Sequence, residues 1–156
     1  MAGYVKANWD IALDHLHQKM GVGIIIRNEH GEVLASKQIP KHGCPQPQIA
    51  ETLGAFMAIS FCLELGFNRI VFEGDAKNVV ELIQRSDGLF GTYGHLIHDI
   101  QILLSNLQKW EFHFVPRDVN QLAHNLAKAA LSLTDESILL CGVPACIQDI
   151  VYSYAY

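Results

Sequence analysis

The run Val22-Gly23-Ile24-Ile25-Ile26 sets the tightest limit on the fold. A strand with one face in water alternates apolar and polar residues, and this run has no polar side chain to turn outward. It reads as a strand buried on both faces, which an α/β architecture achieves with helices on either side. The chain carries those helices. Gln48 to Leu65 is a strongly apolar helix stopped by Gly66. His95 to Leu107 is amphipathic, with Leu96, Ile100, Leu103 and Leu104 inward. Asn120 to Leu133 is a last helix, with Asn120 as its N-cap.

The other strands follow from period-two alternation and turn residues. Tyr4 to Asp10 is a first strand with Val5, Ala7 and Trp9 on one face and Lys6, Asn8 and Asp10 on the other. Asp14 to Lys19 is a polar turn, and Asn28-Glu29-His30-Gly31 is a hairpin turn into a returning strand over Val33 to Ile39. Pro40 to Pro47 is a loop. Asn68 to Glu73 is a fourth strand, and the strand–helix–strand step makes it parallel to an earlier one. Ala76 to Gln84 is a short helix, Ser86 to Gly94 a glycine-containing loop, and Trp110 to Val115 a fifth strand. The expectation is one domain over 1–156: an α/β fold with a five-stranded mixed sheet and helices on both faces. Its core spans about 4–133. Residues 134–156 are an apolar tail without a clear period, expected to pack on the domain.

Composition narrows the function. The net charge of −5 argues against tight autonomous binding of duplex nucleic acid, which is ordinarily gripped by basic residues. It leaves room for a nuclease whose bound cations offset the charge of its site. No apolar run is long enough to cross a bilayer, and Met1 to Asp10 has no apolar leader. Cys44, Cys62, Cys141 and Cys146 form no CxxC pair or zinc spacing. Reduced thiols and an intracellular location, nuclear or cytoplasmic, are therefore expected.

Three acids carry the chemical interest. Glu51 interrupts the apolar stretch from Ile49 to Ile59. An unpaired buried carboxylate costs several kcal/mol unless it is neutralised, hydrogen-bonded or bound to a cation. Asp10 ends the first strand and Asp75 follows the fourth. If those strands are parallel neighbours, both acids emerge at the carboxyl edge where α/β sheets place ligands, with Glu51 in the first turn of its helix facing them. Two Mg²⁺ or Mn²⁺ ions held there would serve in-line phosphoryl displacement. Singly, each acid has a plainer role: Asp75 as a cap for the helix at Ala76, Asp10 as a solvated strand end, Glu51 as a partner of the helix dipole. The conjunction points to metal. His15 with His17, and His95 with His98, offer two ligands each without an evident third.

In order along the chain, Val5 to Asp10, Gly21 to Arg27, Ala50-Glu51, Phe72 to Asp75, and Val115-Pro116-Arg117 with Asn120 to Ala127 resemble a known family. It is the plant ribonuclease H-like domain often labelled reverse-transcriptase-like, within the type 1 ribonuclease H superfamily. The likeness runs from Tyr4 to about Leu133. It implies a ribonuclease H-like fold, and cleavage of the RNA strand of an RNA/DNA hybrid with Mg²⁺ or Mn²⁺. Asp10, Glu51 and Asp75 carry over as metal ligands and catalytic residues. The family's fourth ligand is an aspartate on the last helix, and here that position is His124. A histidine is a softer ligand than a carboxylate, so weaker Mg²⁺ binding and a relative preference for Mn²⁺ are expected; the alternative is that His124 caps or packs near the site.

Substrate contacts are expected from Asn8, Arg117 and Asn120, and from backbone N–H groups around Gly21 and Gly23 reading a ribose 2′-hydroxyl. Asn8 also reads as a residue that satisfies the sheet, and Arg117 as a surface arginine. The basic, Trp-containing protrusion of bacterial enzymes is replaced by Arg85 to Tyr93, with one basic residue. Two other functions stay open. One is a non-catalytic binding or interaction module derived from a mobile element, within a larger host chain or on a protein partner. The other is an exonuclease or different phosphoryl-transfer enzyme on the same fold.

Overall fold

In the computed structural model, residues 3–85 and 92–153 are described. The elements are β1 (Val5–Asp14), β2 (Lys19–Arg27), β3 (Val33–His42), α1 (Pro47–Glu64), β4 (Arg69–Gly74), α2 (Lys77–Gln84), α3 (Thr92–Leu104), β5 (Lys109–Phe114), α4 (Gln121–Ala130), β6 (Ser137–Leu140) and α5 (Gln148–Ser153). Residues 86–91 of the expected glycine-containing loop lie outside the described residues, and Thr92 to Gly94 already belong to α3. Among the described residues no helix is long and apolar enough to cross a membrane.

β2 behaves as its composition requires. Ile24 and Ile26 join the large core beneath α1, α2 and α3. Ile25 points the other way, into a smaller cluster with Leu122 and Leu126 of α4 and Ile147 of the tail. All three isoleucines are fully buried. Gly23 has a reason of its own. A Cβ there would meet the Ala123 carbonyl at 2.4 Å, and one on Gly21 the Ala127 carbonyl at 2.2 Å. The two glycines let the backbone of α4 rest on the strand.

The sheet order is β5-β4-β1-β2-β3-β6. β1 pairs antiparallel with β2 and parallel with β4, and β4 pairs parallel with β5. The sheet therefore has six strands rather than the expected five. The sixth comes from the apolar tail: β6 lies antiparallel to β3, Ala35↔Leu140 to Gln38↔Ser137. All four of its residues are exposed, so no buried face marked it in the sequence. Pro40, expected in a loop, lies within β3. The β6 register stops at Gln38, so Pro40 sits where β3 is an edge, the place in a sheet that tolerates a missing N–H.

β1 also runs further than expected. Asp10 falls mid-strand, because β2 holds β1 through Asp14↔Lys19. On the other side the parallel register with β4 ends at Asn8↔Glu73. Beyond Asn8, β1 has lost its β4 neighbour while its backbone is still held straight. Asp10 sits in that notch.

Candidate metal centre

Three elements converge at the notch. Asp10 is almost fully buried on the α4 face of β1, and its Oδ2 lies 2.9 Å from His124 Nδ1. Glu51 is the fifth residue of α1, not in its first turn, so the helix-dipole reading loses its basis. Asp75 follows β4 directly and precedes Ala76, which occupies the cap position of α2 without a side-chain cap bond; Asp75 is not that cap. Oxygens of Asp10, Glu51 and Asp75 all lie within 4.8 Å of one another.

The electrostatics explain what such a group requires. Burial and the nearby Asp75 charge raise the pKa of Asp10, against the opposing hydrogen bonds from the Ile11 N–H and His124. Glu51 is pushed up to about 9, first by burial, then by the charges of Asp10 and Asp75, and by a hydrogen bond with the Asp10 carboxyl; Arg117 opposes the shift. Two carboxyls hydrogen-bonded to each other share a proton. A hard divalent cation, which takes oxygen ligands, would replace that proton and draw the three acids together. The residues thus fit the metal that the resemblance implies. His124, on the first turn of α4, reaches the cluster through Asp10.

The expected substrate contacts divide. Arg117 is exposed beside the site and acts electrostatically on Glu51. Asn8 and Asn120 are buried and hydrogen-bonded to each other, Asn8 Nδ2 donating to Asn120 Oδ1 at 3.0 Å. Asn8 Nδ2 also donates to Glu73, Arg27 donates to Asn8 Oδ1, and Asn120 Nδ2 donates to the Trp9 carbonyl. These two amides dock α4 on the sheet, which for Asn8 is the sheet-satisfying role and for Asn120 corrects the expected substrate contact. Asn120 also makes no side-chain cap bond to α4, contrary to expectation, because its amide is committed to the strand. Gly21 and Gly23 are paired with β1 and β3 and covered by α4, which likewise corrects a 2′-hydroxyl contact there.

The histidine pairs behave as side chains with local partners or solvent. His17 bonds Asp14 at 2.8 Å, His15 lies 3.2 Å from Cys44 Sγ, and His95 and His98 are exposed. None belongs to a three-ligand group among the described residues. Sequence reasoning missed Glu73 and Trp9. Glu73 carried the same signal as Glu51, an acid in an apolar segment, but it pairs with Lys6 and Asn8. The Trp9 indole contacts the chain on either side of the notch, Glu51 in α1 and Gly74 at the end of β4.

A mixed sheet with α1 to α3 against one face, α4 on the other, and three carboxylates at the end of the parallel pair define a ribonuclease H-like domain. Residues 8–130 match the reverse transcriptase-like family, and the chain belongs to it. No curated protein matches significantly in sequence. Among solved structures the chain is similar to ribonuclease H1 from the halophilic archaeon Halobacterium salinarum, at 24% identity and a TM-score of 0.71, over 82% of this chain and 97% of the other. It is similar to LC11 ribonuclease H1, isolated from compost by a metagenomic approach and solved in complex with an RNA/DNA hybrid, at 17% identity and a TM-score of 0.71, over 81% and 96%. It also resembles part of the prototype foamy virus protease–reverse transcriptase, at 16% identity and a TM-score of 0.63, over 85% of this chain and 21% of the viral one. At these identities the likeness establishes the fold.

Proposed function

We propose that this domain is a metal-dependent endonuclease that cleaves the RNA strand of RNA/DNA hybrids by a two-metal mechanism. The observation that carries the reading is the approach of Asp10, Glu51 and Asp75 to within 4.8 Å, with Glu51 retaining its proton up to about 9. Asp10 is the central ligand, since it touches Glu51 and His124 and feels Asp75. Glu51 and Asp75 would hold the cations from α1 and from the end of β4. The chemistry supplied by bound Mg²⁺ or Mn²⁺ is activation of water and stabilisation of the leaving oxygen. His124 holds Asp10 by its ring and completes the ligand set, with the relative preference for Mn²⁺ that imidazole brings. Arg117, exposed at the rim, meets a phosphate of the substrate. With a net charge of −5, much of the affinity for the hybrid comes from a host chain or protein partner.

One observation favours a second reading. His124 already occupies one oxygen of Asp10 at 2.9 Å, as a purely structural partner would. On that reading the domain is a binding or interaction module derived from a mobile element. The separating experiment incubates an end-labelled RNA/DNA hybrid with Mg²⁺ and then Mn²⁺, beside an RNA duplex, single strands and Asp10→Asn. Cutting confined to the hybrid's RNA strand, and lost in the variant, supports the nuclease. Folded protein that cuts in neither metal yet retains hybrid supports the module.

A further inference from the structure

We infer that Trp9 is a positioning residue that sets the spacing of the three carboxylates; the inference rests on the metal reading above. Strand alternation sends Asp10 toward α4 and its neighbour Trp9 toward α1. There the fully buried indole touches the segments that carry the other two acids. Its Nε1–H donates to the backbone carbonyl of Glu51 at 3.2 Å. On α1 it lies against Gly54, where a Cβ would come within 3.0 Å of ring atom Cδ1. Its six-membered ring lies on Gly74, the residue before Asp75, where a Cβ would come within 2.5 Å. Phe112 backs the ring edge-on at 5.7 Å between centroids.

One rigid side chain therefore contacts Glu51 itself and the residue before Asp75, and shares a backbone with Asp10. The Trp9 carbonyl is held in turn by Asn120, which leads into the helix of His124. The arrangement matters because binding a cation requires all three acids to be ionised, and in that state they repel one another. A cluster without a brace would relax outward, and a cation would have to draw it back at a cost in affinity. Groups that orient metal ligands typically contribute 10–100-fold in affinity. Gly54 lies within a helix, where alanine is intrinsically more stable, and a Cβ there would meet Ile11 Cγ2 at 2.9 Å as well as the indole.

The test is Mn²⁺ binding, followed by the electron paramagnetic resonance of free Mn²⁺, beside thermal unfolding of the metal-free protein. Trp9→Phe keeps an aromatic ring and loses the Nε1–H. We expect its Mn²⁺ affinity to fall about tenfold or more. Ile97→Val, a core change on α3 chosen to bracket the stability loss, should bind as the parent does. Gly74→Ala provides a second route, since it displaces the ring without removing it and should lower the affinity to a similar degree. Trp9→Phe or Gly74→Ala, folded and binding Mn²⁺ like the parent, would overturn the inference. A parent protein that binds no Mn²⁺ would overturn the metal reading and the inference with it.

Discussion

Two polar clusters lie two residues apart on the same face of β1, and they contrast sharply. Around Asn8, groups of opposite charge meet: Lys6 and Arg27 bring positive charge, Glu73 brings negative charge, and the Asn8 and Asn120 amides join them. Around Asp10, three carboxylates face each other, and the compensation comes from the His124 ring, the Ile11 N–H and the more distant Arg117. Both clusters are polar and largely buried. The first closes on itself and is explained by the docking of α4. The second, on the function proposed above, is completed by a cation. Burial of polar groups alone does not mark a functional site; like charges held together do.

The contrast can be broken in order of expected effect. Asp10→Asn should lower hybrid cleavage by ~10³-fold, about 4 kcal/mol of transition-state stabilisation. The same variant should raise the metal-free melting temperature, because a repelling charge is gone. Lower stability in that variant would mean the acids are not in conflict. Asn8→Ala should do the reverse. It leaves Glu73 and Asn120 short of a partner and should cost about 2–3 kcal/mol in urea unfolding, with Mn²⁺ affinity much less affected.

The third test is pH. Glu51 keeps its proton to about 9 in the folded protein, against 4.5 as its ordinary value. The folded state therefore binds an extra proton between those values. Metal-free stability should be full below the lower one and decline as pH rises toward the upper one, by at most about 1.4 kcal/mol per pH unit. Urea melts of the parent and of Glu51→Gln would check this; parallel pH dependence in the two would count against it. Saturating Mn²⁺ should flatten the decline. The smallest effect expected is for His124→Asp, which should narrow the gap between Mn²⁺ and Mg²⁺ activity by about tenfold. Equal activity of the parent in both metals across a titration would remove the reason for that variant.

The legible parts of this molecule were those whose signal is local. Val22 to Ile26 announced a strand covered on both faces, and both clusters around it are present. Glu51 announced itself as an acid within an apolar helix. Asn120 was taken for a substrate contact, and Asn8 for either a substrate contact or a sheet partner, because their partnership spans 112 positions in sequence and each looks like an available amide until the other is in place. Asp10 was taken as a strand end because an acid ordinarily ends an apolar strand. What keeps β1 going is pairing with β2 on one side after β4 has stopped on the other. β6 left no pattern because its side chains face solvent. Its strand character comes from the backbone ladder with β3.

The parallel pairing of β1 with β4 also has a consequence for time. As the chain leaves the ribosome, β1, β2 and β3 can form a hairpin meander early, from local contacts. The other edge of β1 must wait for residues 70–73, and His124 arrives later still. The contacts that build the notch are therefore non-local, and such contacts are slow to close. We expect amides of β2 and β3 to gain protection in pulse-labelling hydrogen exchange before those of β4 and α4. The nascent chain would then carry its three acids apart, unable to concentrate a cation, until β4 has paired with β1, and Asp10 would gain His124 only when α4 has docked.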